Sequence, residues 1–128
     1  MLDTTFLIDA ERGRTTIDDV IADDDDIAIA AITLAELRVG VHLASGRRAK
    51  ARSAFADSVA SGIPILGYDA SVAEVHAGLL AHGRRQGRPR GAHDLIIAAT
   101  AHAAGRVVVT ADPAGFDDLP GVIVRHHR

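Results

Sequence analysis

A chain of 128 residues with 48% hydrophobic but only 3% aromatic residues has room for one domain, 1–128, whose core must be built from Ala, Val, Ile and Leu. The absence of cysteine excludes disulfides and thiolate metal sites, no apolar run is long enough to span a bilayer, and without a secretory signal the expected location is the cytoplasm. The formal charge of −3, from 17 acidic and 14 basic residues, argues mildly against a nucleic-acid binder, but 13 of the basic residues are Arg and they gather at two places.

Leu2-Asp3-Thr4-Thr5 reads as a very short first strand ending near Asp3 and entering a helical turn, with a pause at Gly13. Thr15–Ala22 is predicted as a short helix. The acidic run Asp23–Asp26 follows, and adjacent carboxylates without a spacing pattern read as a solvated loop. Ile27–Ala30 is a second strand. Thr33 and Glu36 then match a capping box, with Leu34, Leu37 and Val41 recurring at helical spacing behind it. A helix is predicted over 47–60, closed by Gly62 as a C-terminal cap. It carries the first basic cluster, Arg47, Arg48, Lys50 and Arg52.

Ile63–Leu66 is a strand that Pro64 demotes toward an edge. Asp69 or Ser71 caps a helix running to about Gln86, and residues 87–91 must form a loop. The second basic cluster, Arg84, Arg85, Arg88 and Arg90, lies across this junction. His93–Ala104 is apolar on nearly all faces and reads as a buried helix ending at Gly105. The β-branched run within Arg106–Thr110 suits a strand covered on both faces. Asp112-Pro113 breaks it, and Val122–Val124 makes a last short strand. Strands alternating with helices predict an α/β domain with a small, mainly parallel twisted sheet and helices on both faces.

In such sheets ligands bind beyond the carboxyl ends of the strands. That rule selects Asp3 and Asp112, and adds Asp94 at the opening of the buried helix and Glu36 in the first turn of its own. Each acid alone has an ordinary explanation as a cap or a helix-start charge; the functional reading depends on their joint placement. Four carboxylates on one rim repel one another and take up protons unless a cation is present. Hard divalent ions such as Mg²⁺ or Mn²⁺ suit that set, and bound there they activate water on a phosphodiester. Gly40, one turn beyond Glu36, is expected to leave space beside its carboxylate, and Thr110 to hydrogen-bond a metal-bound water.

Leu2-Asp3-Thr4-Thr5-Phe6-Leu7-Ile8-Asp9, Thr33–Leu37 with Gly40, the stretch Gly91–Ala99 and Thr110-Ala111-Asp112 with Phe116 and Pro120-Gly121-Val122 resemble, in order and spacing, the PIN domains of the VapC toxin family. Any one of these motifs is weak, whereas four in order over nearly the whole chain are specific. The resemblance implies a PIN-like fold and a metal-dependent endoribonuclease that acts as the toxin of a toxin–antitoxin pair. It implies Asp3, Glu36, Asp94 and Asp112 as the catalytic acids, the three aspartates as ligands of Mg²⁺ or Mn²⁺, and Thr5, Asp9 and Thr110 as supporting residues. It also implies a homodimer and a cognate VapB-like antitoxin whose tail obstructs the site. Thr5 replaces the family's more usual Asn or Ser, and Arg90 stands where an apolar residue is common.

The Arg84–Arg90 cluster just before Asp94 is the candidate RNA contact, since Arg reads phosphate by bidentate hydrogen bonds. One Tyr and three Phe make base stacking an unlikely route to specificity. The same residues bear on three other functions. A phosphoacceptor receiver domain needs a Lys after a late strand, and the only Lys, Lys50, falls in a predicted helix. A small aspartate-based phosphatase would use the Asp3-Thr4-Thr5 opening but lacks the same later Lys. A non-catalytic PIN-like module that only binds RNA or protein would have no need of all four acids.

Overall fold

The structure, a computed structural model, describes residues 1–88 and 90–127. Pro89, inside the loop expected at 87–91, lies outside the described residues. Strand β1 (Ile29–Ala30) pairs in parallel with β2 (Ile65–Leu66), and β3 (Val108–Thr110) pairs in parallel with β4 (Val124–His126). Leu2 joins the two pairs. Its N–H donates to the Ala28 carbonyl at 2.9 Å, while Met1 C=O accepts from Val109 N–H at 2.8 Å and Asp3 N–H donates to Val109 C=O at 3.0 Å. The first strand is therefore no more than a bridge from Leu2 to Val109, yet it occupies the middle of the sheet, in the order β2, β1, Leu2, β3, β4.

Strand side chains alternate between faces, and here the alternation divides the core in two. Met1, Ala30 and Val108 pack with Val72 and Leu79 of α5 (Ala70–Gln86) and with Leu95 and Ile97 of α6 (Ala92–Ala103). Their neighbours Leu2, Ile29 and Val109 pack on the other side with Phe6 and Leu7 of α1 (Thr4–Glu11) and Val59 of α4 (Gly46–Gly62). Helices thus cover both faces, as the alternating pattern implies. Helix α6 is the most buried, with Leu95 and every residue from Ile97 to Ala101 inaccessible. Its small residues Ala98, Ala99 and Ala101 let it lie close to the sheet.

Several boundaries differ from expectation, each for a local reason. The capping box is not used: α3 (Ala31–Leu43) begins straight out of β1, with Ala30 at the cap position and no side-chain cap bond. Thr33 is consequently inside the first turn and fully buried, its hydroxyl without a hydrogen-bond partner, and Glu36 falls in the second turn. Gly62 is the last residue of α4 and not its left-handed cap. Short helix α2 (Ile17–Val20) is capped by the Thr16 hydroxyl, which accepts from Asp19 N–H. Asp69 caps α5 by accepting from Val72 N–H, and Gly87 closes that helix at φ +62°. The final strand lies downstream of Val122–Val124 because Val124 is in register with Val108, which brings the polar Arg125 and His126 into the ladder. Among the described residues no helix is long and apolar enough to cross a membrane.

Candidate active site

Asp3 follows the central bridge at the carboxyl end of the sheet and caps α1. It is 1% exposed, and its carboxylate accepts from Phe6 N–H at 3.1 Å, from the Thr5 hydroxyl at 2.8 Å and from the Thr110 hydroxyl at 2.7 Å. A hydroxyl has one proton to donate. With both protons given to Asp3, Thr5 accepts from Ala111 N–H at 3.1 Å and Thr110 from Asp112 N–H at 2.9 Å. The two hydroxyls therefore weld the start of α1 to the end of β3. Thr110, expected to serve a metal-bound water, spends its proton on Asp3 instead. Burial pushes the Asp3 carboxyl above its ordinary range despite the three bonds that favour the charged form, and Glu36 nearby adds to the rise.

Asp94 is the third residue of α6 and is raised to a pKa of about 6, first by desolvation and then by the charges of Asp3, Glu36 and Asp112, against a smaller opposing effect of His93. All four acids of the sequence reading thus share one electrostatic neighbourhood. Backbone closes on the Asp94 carboxyl from two sides. A Cβ added at Gly91 would stand 3.2 Å from Asp94 Oδ2, and one at Gly115 would stand 2.6 Å from it. Glu36 is held at one oxygen and approached at the other: the Thr4 hydroxyl donates to Oε1 at 2.7 Å, and His93 Nδ1 lies 3.3 Å from Oε2. Asp112 is exposed and precedes a 3-10 turn, Pro113–Gly115.

Other expected residues lie elsewhere. Asp9, 4% exposed, faces Arg14 Nη1 at 3.4 Å and His127 Nε2 at 3.3 Å. Gly40 does not open space beside Glu36; it faces Arg52, whose Nη1 donates to the Gly40 carbonyl at 3.1 Å. In the second basic cluster Arg84 and Arg85 are exposed. Arg88 pairs with Asp118 at 3.1 Å, and Arg90 donates to the carbonyls of Ala114, at 2.8 Å, and Asp117. Thr4, His93, Gly115 and the reach of Arg90 were not anticipated. His93 stands next to Asp94 and Thr4 next to Asp3, so adjacency could have flagged both; Gly115 and the reach of Arg90 depend on which loops meet.

The family model for the PIN domain matches residues 1–122. The chain belongs to the PIN-domain family. It is 38% identical over 113 residues to Ribonuclease VapC5 of Mycobacterium tuberculosis, a match covering 88% of this chain and 82% of that protein. The crystal structure of VapBC-5 from the same organism aligns with a TM-score of 0.81 at 33% identity, covering 98% of this chain and 95% of that one. DNA-bound VapBC from Salmonella typhimurium aligns with a TM-score of 0.88 at 27% identity, covering 100% and 97%.

In this PIN domain no group of three acids or imidazoles among the described residues is already closed around a point suited to a metal ion. The donors present are carboxylates, the oxygen ligands that hard divalent ions such as Mg²⁺ or Mn²⁺ take. Burial first, and then the charges of Asp3, Glu36 and Asp112, raise Asp94, and a divalent cation would relieve the second of these.

Proposed function

We propose that the chain is a divalent-metal-dependent endoribonuclease and the toxin of a toxin–antitoxin pair. The observation that carries the assignment is the geometry at the carboxyl end of the sheet: Asp3 buried and held by Thr5, Thr110 and Phe6 N–H, with Asp94 packed against Gly91 and Gly115 in the same charged neighbourhood as Asp3, Glu36 and Asp112. Asp3, Asp94 and Asp112 are the groups we assign to Mg²⁺ or Mn²⁺, with Glu36 beside them. A cation bound by them supplies an activated water and stabilises charge on the leaving oxygen. The protein's own part is positioning. Thr5 and Thr110 fix the Asp3 carboxylate, Thr4 and His93 fix Glu36, and Gly91 and Gly115 leave room for Asp94 while keeping it close to backbone. Arg84 and Arg85, exposed near this rim in sequence, are the residues we assign to RNA phosphate, with Arg88 as a further contact.

A small VapB-like antitoxin is the expected partner, in keeping with the VapBC complexes this chain resembles in fold and sequence. Expected too are a homodimer, a single domain and a cytoplasmic location. Cleavage of a cellular RNA pool with and without Mn²⁺, alongside Asp94→Asn, tests the assignment. Cuts at discrete sites that need the metal and vanish in the variant are expected. A folded, partner-free protein that cuts nothing with Mn²⁺ present would instead be a binding module.

A further inference from the structure

Arg90 is the residue immediately before Gly91, the cap position of α6, and two of its nitrogens cross to the turn that follows β3. Nη1 donates to the Ala114 carbonyl at 2.8 Å, and Nη2 donates to the Asp117 carbonyl. These carbonyls flank Gly115, whose backbone lies against Asp94 Oδ2. The two walls of the Asp94 carboxyl, Gly91 and Gly115, therefore come from different parts of the chain, and one guanidinium joins them. Arg88 and Asp118 add a second tie at the same turn, but both side chains are well exposed, at 61% and 72%, so that pair is weak. The turn is rooted in the core by Phe116 at 1% exposure, with Leu119 buried just beyond it, and it contains a non-glycine residue, Asp118, at φ +63°. Phe116 fixes where the turn is rooted. It does not fix how closely Gly115 presses on Asp94.

We propose that Arg90 is a positioning residue: by strapping residues 114–117 to the start of α6 it holds the Asp94 carboxyl in the orientation that receives the metal. This use of Arg90 rests on the proposed metal site and differs from a direct contact with RNA, since Nη1 and Nη2 each donate to a backbone carbonyl of the turn. The planar fork of Arg matches two carbonyls at once, which a lysine ammonium does not do in the same geometry.

The test compares wild type, Arg90→Leu, Arg90→Lys and Asp94→Asn, with Mn²⁺ binding to the RNA-free protein read by the EPR signal of free Mn²⁺. Wild type should bind and Asp94→Asn should not. Arg90→Leu should bind at least about tenfold more weakly, the loss typical when a group that orients a metal ligand is removed, and Arg90→Lys should recover only part of it. The salt dependence of metal-free RNA binding should keep its slope in Arg90→Leu, whereas loss of a phosphate contact would lower it by roughly 0.7 to 0.9. Mn²⁺ affinity equal to wild type in Arg90→Leu overturns the proposal. If wild type itself fails to bind Mn²⁺, the metal assignment has failed, and the strap is judged separately on amide exchange. Phe116 and Asp117 N–H, both bonded to the Pro113 carbonyl, should then exchange faster in Arg90→Leu, and unchanged protection would overturn the strap.

Discussion

At the carboxyl end of the sheet Asp3 is 1% exposed, and its neighbours Glu36, Asp94 and Asp112 carry charge of the same sign. At the amino end Asp26 meets Arg106 at 3.1 Å, with the aspartate side chain 82% exposed, beside an open cavity of about 430 Å³ also lined by Asp25 and Arg125. There Arg106 is matched by Asp26, although the Met1 ammonium beside them is itself partly dried, its pKa lowered to about 6 by burial first and then by the Arg106 charge. At the carboxyl end like charges are gathered and partly dried, which costs stability and is maintained only by the hydroxyls, amides and glycines around them. Both ends belong to the same layered architecture, so the difference reflects what each end is for, and local rules are most often broken where a protein acts.

Three substitutions sharpen that contrast. Asp94→Asn should have the largest effect, lowering metal-dependent cleavage by at least about 10²-fold, beyond the roughly 10- to 100-fold typical of groups that only orient a ligand. It should also stabilise the metal-free protein. The Asp94 carboxyl has a pKa of about 6 in the folded state against 3.8 ordinarily, so between those values the folded chain binds the proton more tightly than the unfolded one. Stability is favoured below about pH 4 and is lost as pH rises through about 6. The melting temperature of Asp94→Asn should therefore exceed that of wild type at pH 7.5, and the gap should close at pH 4. A variant less stable than wild type at pH 7.5 would remove the claim of like-charge strain.

Gly115→Ala comes next. Its Cβ would stand 2.6 Å from Asp94 Oδ2, the free end of a side chain that can swing aside. Activity should fall by about 10- to 100-fold, since small misplacements of reacting groups are costly, while thermal unfolding stays close to wild type. A large drop in melting temperature with full activity would mean that the turn yields and Asp94 does not. Smallest is Arg106→Ala at the amino end. Removing a pair whose aspartate is exposed should cost about 1 kcal/mol in denaturant unfolding and leave RNA cleavage unchanged; a loss of cleavage would show that the two ends are not separate.

Much of the fold was legible because it depends on short-range periodicity. The apolar helix beginning near His93, the β-branched run at 107–109 and the turn residues between elements mark an α/β chain without reference to distant contacts. Errors arose where a local pattern was outvoted. Thr33 and Glu36 have capping-box spacing, but β1 runs directly into α3, so the helix starts two residues before Thr33 and buries it. Val122–Val124 carries the apolar signal, yet register with Val108 sets the strand at Val124–His126. Gly40 lay at the right spacing to serve Glu36, but it faces Arg52 of the neighbouring helix.

The four acids were visible one at a time as residues at strand and helix ends, and their types and order were enough to suggest a cation site on an α/β rim. Their separations along the chain, from Asp3 to Asp112, carry no information about distance. Closure of the sheet through Leu2, which sets Asp3 beside Thr110, brings the first and last of them together. What surrounds them was decided at the same level: Thr4 and His93 on Glu36, Gly115 against Asp94, and Arg90 across the turn. The type and order of the elements follow from neighbours a few residues apart, which the sequence by itself determines, while element ends such as those of α3 and β4 are set by pairing. The orientation of a carboxylate depends on groups that meet only after the chain has folded, and only the tertiary structure decides it.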